Sequence, residues 1–203
     1  MRDKPYFAIV YMFVVTAFFG SVLIGFARLT QGRVRANEQL SFERAIVQAF
    51  PEIQYKNNLE IHQIFTEQFK KDDRTGSFLY EQNGQLAGYA VPFSGQGFWD
   101  KIEGVIGIAP DQRTIRGVAF YQQKETPGLG ARIDEDEFRK QFVGKKIEDS
   151  AEPIGIVPEA QTPADNEVHA VTGATQTSVR LETLMNQDIR AWLDAMQNRE
   201  ATP

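Results

Sequence analysis

In the stretch VHAVTGATQTS, Val168 to Ser178, four hydroxyl side chains fall within seven positions: Thr172, Thr175, Thr177 and Ser178. A helical pattern follows directly, so these groups sit where a helix begins. Two chemistries suit that placement. Thr175, Thr177 or Ser178 can cap the helix by accepting a bond from an orphan N–H. Alternatively the turn binds a phosphate: Gly173 and Ala174 allow close backbone approach, and N–H groups at a helix start attract anions. One hydroxyl would suffice for a cap, and phosphate-loop and dinucleotide fingerprints are absent. A second stretch, ETPGLGARI, Glu125 to Ile133, follows a strand expected over Gly117 to Gln122. Pro127 fixes φ and the glycines permit left-handed φ, so by itself it reads as a tight strand-to-helix turn.

Other chemistries have little material. The chain contains no cysteine and two histidines, His62 and His169, far apart in sequence. Disulfides, thiolate zinc sites and cysteine-ligated iron–sulfur clusters are excluded, no metal site is expected, and redox chemistry would need an organic cofactor. The acidic run Asp134 to Glu137 reads as carboxylates gathered at a helix N-terminus, with Asp134 as cap and Glu137 three residues on. With 22 basic and 27 acidic side chains the net charge is −5, which gives no electrostatic reason to expect nucleic acid.

The elements that must position these turns follow from periodicity. Tyr6 to Ala27 is 22 residues without a charge. As a helix it spans about 33 Å, enough for a hydrocarbon core of roughly 30 Å. It exceeds the apolar core of a signal peptide and no A-x-A site follows, so it reads as an uncleaved transmembrane helix. Arg2 and Lys4 precede it; Arg28, Arg33 and Arg35 follow, a balance slightly opposed to an extracytoplasmic domain. Leu40, Phe42, Ile46, Val47 and Phe50 continue at helical spacing up to Pro51. A short helix is expected over LEIHQIFTEQFKK, and a polar turn over 70–76. Hairpins are expected at Asn83-Gly84 and at Pro110-Asp111. A short helix is expected over RIDEDEFRKQFVGK, and an irregular loop over AEPIGIVPEAQTPADNE. Leu181, Leu184, Met185, Ile189, Trp192, Leu193 and Met196 form the core-facing stripe of a last helix.

These expectations compose an α+β chain: an N-terminal transmembrane helix, then an antiparallel-sheet domain with flanking helices. The divisions are a short tail at 1–5, the span at 6–27, a linker helix at 28–50 and the sheet domain at 51–203.

Taken together, GQGFWDKIEGVIGI, GVAFYQQKETPGLGARI, QFVGKK and VTGATQTS, behind an N-terminal anchor, resemble a known family. It is the FMN-binding family of NqrC, from the sodium-translocating NADH:quinone reductase, and RnfG, from the Rnf electron-transport complex. VTGATQTS is similar to its flavinylation signature, Asp-x-x-Ser/Thr-Gly-Ala-Thr, with His169 where the signature has Asp. The resemblance implies covalent FMN, joined through its phosphate to Thr175 by a flavin transferase. It implies that Trp99 and Leu129 flank the isoalloxazine, that Glu125, Thr126 and Gly130 shape the flavin pocket, and that Thr172, Gly173, Ala174 and Thr177 surround the phosphate. It further implies an electron-transfer component of an ion-translocating complex, not catalytic alone. Such a component is single-pass in the inner (cell) membrane, with other membrane subunits as partners and its domain on the extracytoplasmic side. No fingerprint for NADH or quinone is present. Two other readings stay open: an anchored non-redox module for a phosphorylated ligand, and a stand-alone extracytoplasmic flavoprotein.

Overall fold

A computed structural model describes residues 5–200. The expected tail at 1–5 therefore lies, for residues 1–4, outside the described residues. The chain divides into two compact units, the second beginning at Leu40.

Helix α1, Pro5–Gln48, is unbroken and takes in both the expected span and most of the expected linker helix. In the first unit its apolar side chains are exposed, among them Ile9, Phe13, Phe18, Leu23 and Phe26. Two of its hydroxyls bond back to the helix: Ser21 donates to the Ala17 carbonyl at 2.7 Å and Thr30 to that of Phe26 at 3.0 Å. A polar group so bonded costs little in an apolar surrounding. Among the described residues this is the one helix long and apolar enough to cross a membrane.

The second unit is built on a five-stranded antiparallel meander, β1 (Phe69–Lys71), β2 (Phe78–Gln82), β3 (Gln85–Gln96), β4 (Lys101–Ile108) and β5 (Ile115–Gln122), in that order across the sheet. Successive strand residues point to opposite faces, and both faces are covered. Tyr89, Val91, Phe93, Ile102, Ile106, Val118 and Phe120 belong to one core with the stripe of helix α4, Thr175–Glu200. Ala90, Val105 and Ala119 belong to the other, with Ala45–Phe50 and Ile61 of helix α2, Asn58–Gln68. The last turns of α1 are thus part of the sheet domain's core, where the sequence division had placed them in the linker.

Both expected hairpins form. Asn83 and Gly84 have φ of 54° and 74°, a primed turn matching the strand twist. At the second, Asp111 Oδ1 accepts from the N–H groups of Arg113 and Thr114 at 2.9 and 2.8 Å. Three expectations are corrected. Phe69–Lys71 leave the helix and pair with β2, Phe69 opposite Tyr80, because the buried Phe69 ring stacks on that partner. Asp134 does not cap a helix: it ends a 3-10 turn, Gly130–Asp134, and α3 runs from Asp136 to Lys140 after Glu135. The expected irregular loop holds β6 (Gly155–Val157), pairing in parallel with β7 (Glu167–His169). Ile156 and Val168 are buried there, in strands too short to show a period.

Candidate functional site

Strand β7 and α4 are joined by the hydroxyl-rich turn. Gly173 adopts φ +79°, the left-handed region where a side chain would strain the backbone. The helical ladder opens with Ser178 N–H donating to the Ala174 carbonyl at 3.0 Å. The amides of Thr175, Gln176 and Thr177 precede that bond and have no intrahelical acceptor. The positive end of a helix therefore faces the space beside Thr175.

The PGLG turn reaches the same place from β5. Gly128 supplies the left-handed φ, +73°. Leu129 and Ala131 N–H groups both donate to the Thr126 carbonyl at 3.1 Å. Gly130 is needed for space: a Cβ there would stand 2.5 Å from Thr177 Oγ1. The loop from β3 to β4 completes the wall with Phe98 and Trp99, edge to face at 5.1 Å. Together Phe98, Trp99, Thr126, Leu129, Gly130, Gly173, Ala174, Thr175, Gln176 and Thr177 line an open cavity of about 240 Å³. Trp99 is 66% exposed and Leu129 44%. Two large apolar groups held in water beside a helix N-terminus form a surface that a flat aromatic ligand with a phosphate would cover. A larger cavity, about 290 Å³, lies by Phe50, Ile53 and Val118 and contains none of the turn residues.

Glu125 does not line the cavity; it lies beneath, 4% exposed. Its Oε1 accepts from the Trp99 N–H at 3.1 Å and its Oε2 from the Thr177 hydroxyl at 2.8 Å. One buried carboxylate thus ties the Trp99 loop, the PGLG turn and α4 together. Lys124 pairs with Asp100 at 2.9 Å on the outer side of the same loop, and that contact holds the Asp100 carboxyl below the usual range.

Thr172 is turned elsewhere. Its hydroxyl donates to Glu159 Oε2 at 2.9 Å, and both residues line a neighbouring cavity of about 300 Å³ with Arg132, Glu135, Glu137 and His169. The His169 backbone is clamped by one side chain: its N–H donates to Gln141 Oε1 at 2.9 Å and its carbonyl accepts from Gln141 Nε2 at 3.4 Å. His169 Nδ1 is buried without a partner among the described residues. The acidic run is held by cations, Asp136 by Arg139 at 2.5 Å and Lys140 at 3.1 Å, and Glu137 by Arg132 at 3.7 Å. Asp134 is pushed up by burial, with Arg139 opposing.

Among the described residues the turn's hydroxyls do not cap α4, one of the two roles the sequence left open. Thr177 donates to Glu125, and Ser178 Oγ accepts from the Val171 N–H at 3.2 Å, a residue before the helix rather than in it. Sequence reasoning passed over Phe98, Gln176, Gln141 and Glu159. Phe98 had a signal, adjacency to Trp99; Glu159 sits in a proline-rich loop with none.

Known proteins resemble this chain over part of its length. Residues 97–190 match the family described as "FMN-binding domain". The chain is 33% identical over 112 residues to the NqrC component of the Na(+)-translocating NADH-quinone reductase of Pasteurella multocida, covering 54% of this chain and 42% of that protein. It is 35% identical over 104 residues to the corresponding protein of Vibrio anguillarum, covering 50% and 41%. The chain thus spans about two fifths of the length of the curated relatives it matches. The crystal structure of the corresponding protein from Parabacteroides distasonis superposes with a TM-score of 0.68 at 22% identity, covering 80% of this chain and 94% of that one, a likeness of fold. Over residues 97–190 the chain is thus similar to the FMN-binding domain family, and over about half its length to NqrC of the Na(+)-translocating NADH-quinone reductase.

Proposed function

We propose that this chain is a membrane-anchored electron carrier that holds FMN covalently through its phosphate on Thr175. It serves as the NqrC component of a sodium-translocating NADH-quinone reductase. The observation that carries the reading is the placement of Thr175. It is an exposed hydroxyl on the first residue of α4, within the cavity walled by Trp99 and Leu129. Unpaired helix-start amides stabilise phosphate charge there. Trp99 and Leu129 offer faces for an isoalloxazine, and the Glu125 bonds hold the loop that carries Trp99.

FMN supplies reversible one- and two-electron chemistry when bound. The chain's own residues bind, orient and shield it, and none transfers a substrate group. Helix α1 anchors the protein in the bilayer, and a flavin transferase installs the FMN. The domain lies on the extracytoplasmic side, a placement drawn from the family rather than from the flanking charges. A C-terminal fusion to a reporter active only outside the cytoplasm tests it; activity of a cytoplasm-only reporter instead would reverse the orientation.

The covalent link is tested by mass spectrometry of the intact chain, coexpressed with an active flavin transferase, beside Thr175→Ala. The expected result is an added mass of FMN less one water in the wild type and none in the variant. A wild type that stays unmodified while a control protein is flavinylated removes the covalent reading. It would leave loosely held flavin or a non-redox phosphate ligand in the cavity.

A further inference from the structure

The four hydroxyls of the turn are not equivalent. Thr177 and Ser178 are buried, 3% and 2% exposed, and both are engaged, with Glu125 and with the Val171 N–H. Thr172 and Thr175 are both exposed, so burial does not choose between them. A carboxylate does. Thr172 Oγ1 donates to Glu159 Oε2 at 2.9 Å, whereas Thr175 Oγ1 has no hydrogen-bond partner among the described residues.

We propose that Glu159 is a specificity-determining residue for the phosphoester: it withholds Thr172 from the phosphoryl group and leaves Thr175 as the hydroxyl that is modified. The inference rests on the covalent FMN reading above and adds to it the reason for the choice of threonine. In the step concerned, the Thr175 Oγ1–P bond forms while the P–O bond of an activated donor breaks, the donor being FMN with its phosphate in an anhydride. The threonine proton passes to solvent or to a base of the transferase, the other half of the anhydride leaves as a phosphate monoester, and no electron changes hands.

Three features separate the two threonines. The donor's phosphoryl group is anionic, and at Thr172 it meets the like charge of Glu159 within hydrogen-bond range. The Glu159 bond also turns the Thr172 hydroxyl into the neighbouring cavity, while Thr175 lines the one with Trp99 and Leu129. Finally, Thr175 starts α4, where helix-start amides favour an anion; Thr172 lies before the left-handed Gly173, off the helix. A carboxylate bonded to a hydroxyl can also act as its base and sharpen it as a nucleophile. That help reaches a neutral electrophile; an anionic phosphoryl group is repelled by the same charge before it can use it.

The test maps the adduct by peptide mass spectrometry on the full chain coexpressed with a flavin transferase. The chains compared are wild type, Thr175→Ala, Glu159→Ala and the double variant. Expected are an adduct on Thr175 alone in wild type, none detectable in Thr175→Ala, and a Thr172 adduct about tenfold or more above the detection limit in the double variant, the order of one removed like charge at close range. An adduct on Thr172 already present in Thr175→Ala, or none in a folded double variant, overturns the proposal. A second measurement needs no flavin. Threonine methyl coupling constants by NMR should show Thr172 in one rotamer in wild type and averaged in Glu159→Ala, with Thr175 averaged in both. A Thr172 that averages in the wild type overturns the proposal whatever the mass spectra show. A wild type lacking any adduct counts against the FMN reading only, and the couplings then decide for or against Glu159.

Discussion

At the level of single residues, the site depends on a carboxylate that never faces the cavity. Glu125 bonds the Trp99 N–H with one oxygen and the Thr177 hydroxyl with the other. Its geometry survives replacement by Gln, whose carbonyl accepts from Trp99 while the Thr177 hydroxyl reverses to accept from the amide. It does not survive replacement by Ala, which leaves the buried Thr177 hydroxyl without its acceptor at a cost of about 1–3 kcal/mol. The other tryptophan, Trp192, is 2% exposed, so acrylamide quenching of the flavin-free protein reads Trp99. Glu125→Ala should raise that quenching and loosen FMN, and Glu125→Gln should leave both close to wild type. Equal quenching in all three proteins would show that the Trp99 loop is held by other contacts.

Among the elements, α4 carries both chemistry and stability. Its first turn lines the cavity with Thr175, Gln176 and Thr177, and its stripe covers one face of the sheet. Trp192 packs on Tyr89 at 5.3 Å and donates to Ser77 Oγ at 3.2 Å. On the same helix Asp188 accepts from the Ser94 N–H of β3 at 2.8 Å. Burial pushes its carboxyl up from the ordinary value of 3.8, with the Ser94 bond opposing. The native state then binds that proton more readily than the unfolded chain, so this group's contribution to stability falls as pH rises through its raised native value. Asp188→Asn keeps an acceptor for Ser94 and removes the buried charge. It should raise the thermal midpoint at pH 7, with the gain shrinking as pH falls toward the ordinary Asp value of 3.8. A variant less stable at pH 7 would mean that the charged bond to Ser94 outweighs the burial.

Element by element, sequence patterns served best where a repeat was long or a turn was chemically constrained. The stripe of α4 and the Asn83-Gly84 hairpin were legible for that reason. Phe69–Lys71 were not, because three residues continuing an amphipathic helix carry no local signal for a strand; the pairing of Phe69 with Tyr80 decides them. The parallel pair β6 and β7 was hidden likewise by shortness and flanking prolines, although β7 delivers His169 to the turn.

For the chain as a whole, the compact domain starts at Leu40, before the end of α1. Ala45, Ile46, Val47, Ala49 and Phe50 are essentially fully buried in its second core. A chain beginning at Leu40 should be soluble and unfold cooperatively. One beginning at Pro51 loses those side chains, and with about 3–5 kcal/mol for a buried Phe alone against a total of roughly 5–15, it should not hold a stable fold. Urea unfolding of both truncated chains checks this, and equal midpoints would place the boundary after Phe50. The same comparison tests the anchor: full-length protein should stay with membranes through alkaline extraction, and the Leu40 chain should not.

The apolar first helix, the two hairpins, the tight Pro-Gly-Leu-Gly turn and the signature around Thr175 were all readable in the order of residues. Each is written locally, in a run, a period or a residue type that one backbone conformation demands. Which hydroxyl is free was not readable there, and packing settles it. Glu125 stands 52 positions from Thr177 and Glu159 stands 13 from Thr172. Carboxylates at those separations meet their threonines through sheet and loop packing, which no local pattern encodes. The turn offered four candidate hydroxyls, and hydrogen bonding across the fold left Thr175 the exposed one without a partner among the described residues.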